Sequence, residues 1–342
     1  MVDDNFYLNL AINKAWEYQC ITIPNPAVGA LILDKNGQIL SIQSHKEVGT
    51  PHAEVLALKE SYIKLTRDNK LKAITDSANI HEYLLKNAKS IFNDITMYVT
   101  LSPCTHVGRT PSCANLLKEL KIKKIIIGSE DINKNAKGGG ELLEQNGIEV
   151  IYAYKQKAMQ GMALKAKELL LPFISLQTKG SFVLFKYASR LNGSIDGGRI
   201  SNESSQIFMH NIRTKVDNLL ISGKTIVLDS PTLDCRYSNL TNKKPPNITI
   251  LTKNKNLPKN APLFNINREI TITDTPPKPD GFIMIEGGIN MLKSIIDMVD
   301  MILLFLSPKI SQNTLIHTLN LNLKILHTLE LDGDLLIWLA KK

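Results

Sequence analysis

Cysteine is scarce in this chain: there are four in 342 residues, at positions 20, 104, 113 and 235. Scattered over such a length they build no disulfide framework, so Cys20 and Cys235 are expected as reduced thiols. Long hydrophobic runs are also missing. Lys or Asn interrupts every apolar stretch well before the roughly 20 residues that a membrane-spanning helix needs. The acidic start Met1-Val2-Asp3-Asp4 is the wrong n-region for a secretory signal, and the expected compartment is the cytoplasm. No internal repeat is visible, and there is no dinucleotide fingerprint of the G-x-G-x-x-G type. The formal charge is +9, yet the lysines run from Lys14 to Lys342 without gathering into one aromatic-interleaved patch. Neither a nucleic-acid nor a membrane partner is expected, whereas small acidic ligands suit mild basicity. With 43% hydrophobic and 21% charged residues the composition is that of an ordinary soluble globular protein. The length exceeds what one core usually supports, so two domains are the default expectation.

What is present is a compact chemical motif. His52-Ala53-Glu54 is followed about fifty residues later by Pro103-Cys104-Thr105-His106-Val107-Gly108-Arg109-Thr110-Pro111-Ser112-Cys113. One imidazole and two thiolates, from His52, Cys104 and Cys113, make three ligands for zinc and leave the fourth tetrahedral position open, as in catalytic sites. Glu54 then stands where a proton shuttle is needed. That is the arrangement of zinc deaminases, in which a non-ligand glutamate serves as general acid and base. Nucleobase deaminases of the general pattern have two residues between their cysteines, and this chain has eight. The flanking pattern still supports ligation: Met97 to Leu101 reads as a strand and Ala114 to Leu120 as a helix, so Cys113 falls at a helix start, which favours thiolate.

Around this motif, strand and helix signals alternate. A helix over Phe6–Tyr18 precedes a strand over Val28–Asp34; then come a helix from Ala53, strands at Thr96–Leu101, Lys124–Gly128 and Gly147–Ala153, and a helical Glu141–Glu144. Such alternation predicts a three-layer α/β/α sandwich over residues 1–153. The lysine-rich stretch Ser61–Asn93 reads as a helical surface insertion without catalytic content. A lysine-rich helical segment, Lys155–Leu170, closed by Pro172, marks residues 154–176 as a linker. Residues 177–342 are strand-rich, with apolar runs at Phe182–Ser189, Asn218–Gly223, Ile248–Leu251 and Phe282–Ile285, and helical patterns at Gln206–Val216 and Asn290–Asp297. Glu286-Gly287-Gly288, between a strand and a helix, offers backbone amides to a cofactor phosphate.

Pro24-Asn25-Pro26-Ala27-Val28-Gly29, Pro51 to Glu54, and the Cys104–Cys113 loop with its Gly-Arg-Thr-Pro core together resemble the bifunctional deaminase/reductase family of riboflavin biosynthesis. The resemblance implies a cytidine-deaminase-like domain followed by a dihydrofolate-reductase-like α/β domain. It also implies hydrolytic deamination of a diamino-(phosphoribosylamino)pyrimidinone and NADPH reduction of its ribosyl group to ribityl. On this reading Asn25 bonds the pyrimidine edge, and His45 and His106 lie where the ribose phosphate would be met. Arg213, Leu233, Arg236 and Glu286 fall on the substrate side of the reductase. Ala188, Thr225, Asp229, Gly287 and Gly288 fall on the NADPH side.

The chain departs from the family's usual sequence at several points. Arg190-Leu191-Asn192-Gly193 stands for Ser-Leu-Asp-Gly, the stretch Ser194–Ile200 is shorter, and Arg199 stands where an aromatic is common. Asp131-Ile132-Asn133-Lys134 replaces Asp-Pro-Asn-Pro, and Ser112 replaces a proline. A second reading follows from the reductase departures: a deaminase whose other domain only binds ligand or joins subunits into a homo-oligomer. A third, a nucleic-acid deaminase, conflicts with the cysteine spacing and the absent basic patch.

Overall fold

The computed structural model describes residues 2–342 apart from 107, 109, 134–137, 196–197, 255 and 313–318. Val107 and Arg109 of the motif, Lys134 and part of the shortened 194–200 stretch therefore lie outside the described residues. The chain divides into two compact units, Met1–Ile174 and Ser175–Lys342.

The first unit runs α1 (Asp4–Trp16), β1 (Gly29–Leu33), β2 (Ile39–Ser44), α2 (Ala53–Thr66), α3 (Ser77–Asn87), β3 (Thr96–Leu101), α4 (Cys113–Glu119), β4 (Lys124–Ser129), α5 (Gly139–Gln145), β5 (Glu149–Tyr152) and α6 (Gln160–Leu169). Its sheet has the order β2-β1-β3-β4-β5, with β1 antiparallel to both neighbours and β3, β4 and β5 parallel. The strands β1 and β3 are almost wholly buried, so they read as continuous apolar runs. Helices α1 and α6 pack on one face and α2 to α5 on the other, which gives the three layers expected. Gly29 is required where α1 crosses β1, since a Cβ there would lie 2.0 Å from the Ala11 carbonyl oxygen.

Two expectations change in this unit. The lysine-rich insertion is not merely superficial: Leu71, Ile80, Leu84, Ala88 and Phe92 are fully buried in the core that holds Cys104 and Cys113. Its amphipathic α3 shows Glu82, Lys86 and Asn87 to solvent and an apolar stripe inward, each buried apolar side chain contributing about 1.5–3 kcal/mol when fully buried. The segment read as a helical linker is helical, and up to Ile174 it belongs to the first unit. Helix α6 packs against α1 and β4 and buries Ala163, Ala166 and Leu169, and Pro172 falls in the first turn of a further helix, α7 (Leu171–Lys179), instead of ending one.

The second unit comprises β6 (Ser181–Arg190), α8 (Glu203–Arg213), β7 (Asn218–Ser222), α9 (Gly223–Asp229), β8 (Asn247–Leu251), β9 (Ile270–Thr273), β10 (Gly281–Glu286), α10 (Ile289–Ile295), β11 (Met301–Ser307), β12 (Leu323–Leu331) and β13 (Asp334–Lys341). Its eight strands are ordered β12-β13-β11-β6-β10-β7-β8-β9. Six of them, β11 through β9, are parallel, and β12 and β13 close one edge as an antiparallel hairpin. The hairpin turn is Asp332-Gly333, both with positive φ, a pairing whose twist matches the strands. The central strands carry the functional candidates at their carboxyl ends.

Candidate metal centre and charged cluster

Three chain reversals bring the metal ligands together. His52 is the N-cap of α2, Cys113 is the first residue of α4, and Cys104 follows the carboxyl end of β3. His52 Nδ1 lies 3.6 Å from Cys104 Sγ and 3.4 Å from Cys113 Sγ, and all three ligand atoms fall within 4.8 Å of one another. Bond lengths of about 2.0 Å to nitrogen and 2.3 Å to sulfur at a tetrahedral angle imply a nitrogen–sulfur separation of roughly 3.5 Å. The donor set therefore fits zinc in both chemistry and spacing. The hydrogen bond from the Cys113 thiol drives Cys104 down to about 4, with His52 adding to the effect and burial opposing it. Its sulfur is the thiolate that a metal takes.

Ser112, where the family has proline, fixes this geometry. Its hydroxyl donates to the Cys104 carbonyl oxygen at 2.8 Å and accepts from Asn115 N at the start of α4. One side chain thus caps the helix and ties down the first cysteine. Gly139, at the start of α5, closes against the same loop, since a Cβ there would lie 1.8 Å from the Pro103 carbonyl oxygen.

Glu54 is 4% exposed, and burial pushes its carboxyl up while His52 pulls it down. A carboxyl poised in this way can carry a proton in either direction. His52, Cys104 and Glu54 border a cavity of about 290 Å³, which Asn25, His45, His106, Asp131 and Thr110 also line. His45 Nδ1 faces the Pro51 carbonyl oxygen at 3.2 Å, which can only accept, so Nδ1 donates and Nε2 accepts from Asn25 Nδ2 at 3.1 Å. Burial holds this imidazole neutral, at about 4. His106 stays exposed at the rim. The sequence reading missed Asp131 and Asn133 as lining residues, and their place directly after β4 was the available signal. It also missed His81 of the insertion, 5% exposed, whose Nε2 has no hydrogen-bond partner among the described residues. Burial lowers it to about 4, and the charges of Cys104 and His52 reach it.

In the second unit the carried-over residues divide. Arg213, at the end of α8, is buried; it donates to Glu286 at 2.6 Å and to the Asp234 carbonyl oxygen at 2.8 Å. Glu286 ends β10 and stands in register with Lys186 of β6. Burial raises Glu286, but the Arg213 and Lys186 charges outweigh it and keep the carboxylate ionised. Lys186 interrupts the apolar run of β6, and that interruption was the signal for it. Arg236 is exposed and pairs with Asp234 at 2.9 Å, and Leu233, at φ 56°, is buried. Arg268, unsuspected from sequence, donates to the carbonyl oxygens of Thr232 and Leu233 at 2.7 and 2.6 Å. Two arginines thereby hold three successive carbonyls of the 232–234 loop.

Of the remaining residues, Ala188 lies near the end of β6, Thr225 and Asp229 on α9, and Gly287 and Gly288 directly after β10. The Thr225 hydroxyl is 3.0 Å from that of Ser222. Asn192 donates its amide to the Ser311 carbonyl oxygen at 2.7 Å, a bond that the usual aspartate could not make. Arg199 donates to the Ser201 carbonyl oxygen and borders a second cavity with Tyr237.

Residues 1–129 match the cytidine and deoxycytidylate deaminase zinc-binding region. Over 90% of the chain, the sequence is 28% identical to the riboflavin biosynthesis protein RibD of Aquifex aeolicus, covering 87% of that protein. The chain is similar to RibD over most of its length. The RibD of Actinobacillus pleuropneumoniae is 33% identical over 68% of the chain, a match spanning 54% of that relative, and the RibD of Bacillus amyloliquefaciens is 30% identical over 73%, spanning 60%. The fold extends over both units. A Thermotoga maritima structure described as a diaminohydroxyphosphoribosylaminopyrimidine deaminase/5-amino-6-(5-phosphoribosylamino)uracil reductase superposes with a TM-score of 0.63 at 24% identity, covering 99% of this chain and 98% of that one. Acinetobacter baumannii RibD superposes at 0.61 with 22% identity, covering 99% of each. Both α/β units thus share the fold of these two structures. Among the described residues no helix is long and apolar enough to cross a membrane.

Proposed function

We propose that this chain is a bifunctional enzyme of riboflavin biosynthesis. Its first unit deaminates 2,5-diamino-6-(5-phosphoribosylamino)pyrimidin-4-one by zinc-dependent hydrolysis, and its second reduces the ribosyl group to ribityl with NADPH. The observation that carries the reading is the clustered His52, Cys104 and Cys113 ligand set, of which His52 and Cys104 border one cavity together with the buried Glu54. The enzyme acts in the cytoplasm on this small phosphorylated substrate, with neither nucleic acid nor membrane as partner.

Bound zinc supplies Lewis-acid activation of the attacking water. Glu54 takes the water's proton on its carboxylate and returns it to the amine that leaves. Burial raises the Glu54 carboxyl, which makes its carboxylate a stronger base for the water's proton. Asn25, oriented by the neutral His45, meets the edge of the pyrimidine ring, and His45 and His106 border the end of the cavity that takes the ribose phosphate.

In the second unit, parallel strands end together where ligands of open α/β sheets bind. The residues fit NADPH there: Ala188, Gly287 and Gly288 carry little or no side chain beside the strand ends, and Thr225 and Asp229 follow β7. NADPH supplies the hydride when bound. Arg213 and Arg236 present cations to the phosphorylated sugar, Leu233 packs beside it, and Glu286, held ionised by Arg213 and Lys186, orients the ribose. Zinc content and NADPH oxidation, measured on one preparation given the deaminated intermediate, test both halves. A zinc-loaded chain that releases ammonia yet oxidises no NADPH would leave the second unit a ligand-binding domain.

A further inference from the structure

We infer that Thr110 is a positioning residue of the metal centre, its hydroxyl accepting the Nε2–H of His52 and holding that imidazole with Nδ1 turned to the metal. This rests on the zinc-deaminase reading above. His52 Nδ1 faces both sulfurs, at 3.6 and 3.4 Å. A neutral imidazole that ligates through Nδ1 carries its proton on Nε2, and that proton needs an acceptor in a buried place. Thr110 Oγ1 lies 3.2 Å from Nε2, and Thr110 is 8% exposed.

The hydroxyl is held by its own loop. Gly108 N donates to the Thr110 carbonyl oxygen at 3.2 Å, turning the chain back on itself, and Pro111 and the Ser112 cap then lead into α4. On the other side, the His45 ring meets His52 edge to face with centroids 5.4 Å apart. The imidazole is thus fixed by sulfur at Nδ1, by hydroxyl at Nε2 and by a ring at its flank. The long link between the cysteines acquires a task from this arrangement: it returns a side chain to the outer nitrogen of the first ligand.

Removing a hydrogen-bond partner of a metal-ligating histidine typically weakens metal binding about 10- to 100-fold. Thr110→Val keeps the side chain's shape and deletes the acceptor, whereas Thr110→Ser keeps the acceptor and deletes a methyl group. Zinc titration of the stripped full-length proteins against a chromophoric chelator should give T110V a zinc affinity about 10- to 100-fold below wild type and T110S within about threefold. The cobalt-substituted T110V should show a shifted d–d band. Wild-type affinity and spectrum in T110V, or equal weakening in T110S, overturn the role. The wild-type protein supplies a test that needs no variant. In its zinc-loaded form the His52 ¹⁵N resonances should place the proton on Nε2, and a proton on Nδ1 would end the proposal. A wild-type chain that takes up no zinc removes the zinc reading itself, whereas an unaffected T110V beside a zinc-loaded wild type removes Thr110 alone.

Discussion

In the first unit the metal-ligating atoms come from two helix starts and one strand end, each within two or three residues of a turn. In the second, the charged cluster draws Lys186, Arg213, Asp234, Arg268 and Glu286 from five separate stretches of chain. The difference is physical. A metal needs three atoms of fixed chemistry, and helix N-termini supply backbone amides that favour thiolate beside them. A cluster of ordinary charges needs only burial and mutual neutralisation, which the parallel register of β6 and β10 and the position of α8 supply without any fixed spacing. The metal site is therefore intolerant of single substitutions, and the charged cluster should yield by degrees.

The largest effect belongs to the ligands. Cys104→Ser or Cys113→Ser leaves two protein ligands, and deamination should fall by more than about a thousandfold along with zinc content. Elemental analysis beside ammonia release measures both, and full zinc occupancy in both variants would remove these cysteines from the ligand set. Glu54→Gln comes next. The amide keeps the volume but accepts no proton, so zinc should remain while deamination drops about 10²- to 10⁴-fold, with NADPH oxidation by the second unit unchanged.

These two predictions concern residues that the sequence displays openly, because His52-Ala53-Glu54 and the Cys104–Cys113 loop are local. The alternation of β1, β3, β4 and β5 with helices was legible for the same reason. Strand β2 was not seen, since its pattern Ile39-Leu40-Ser41-Ile42-Gln43-Ser44 mixes buried serines into a short run. The insertion was misread because lysine spacing reveals a helix but not what its other face meets. In the second unit β12 and β13 escaped notice although Asp332-Gly333 marks their turn, and Arg268 carries no sequence signal at all: it acts on carbonyls more than thirty residues away.

The third prediction breaks the charged cluster at its centre. Arg213→Ala removes one partner of a buried ion pair and also frees the Asp234 carbonyl oxygen, which should cost about 3–5 kcal/mol. The chain has two tryptophans, Trp16 in the first unit and Trp338 in the second, both buried. In a Trp16→Phe background, urea unfolding followed by Trp338 fluorescence reports the second unit alone. A midpoint unmoved by Arg213→Ala would show that Lys186 suffices for Glu286.

A smaller effect is acid lability. Burial first, and Arg213 second, lower His210 from 6.5 to about 4. Because its folded value is depressed, the unfolded chain binds the extra proton between these two values. Stability is complete above about 6.5 and is lost as pH falls towards 4. Glu286, also depressed, adds a further loss below its ordinary 4.5. The Trp338 unfolding midpoint should therefore drop between pH 7 and 5, and His210→Gln should flatten that part of the profile.

The smallest change in stability, and the sharpest contrast, is expected at Arg236. Its side chain is 48% exposed and its partner is Asp234, two residues away, so the pair lies in the class of surface ion pairs worth about 0–1 kcal/mol. Arg236→Ala should leave the Trp338 unfolding midpoint nearly where it was. If the guanidinium grips the sugar phosphate, however, its loss removes a charge-assisted contact of roughly 1.5–3 kcal/mol, or about ten- to a hundredfold in substrate affinity. The signature is thus a raised KM for the phosphorylated substrate with unchanged unfolding, against the unfolding defect of Arg213→Ala. An Arg236→Ala chain with wild-type KM would make this arginine plain surface charge, and would leave recognition of the phosphate to the buried cluster.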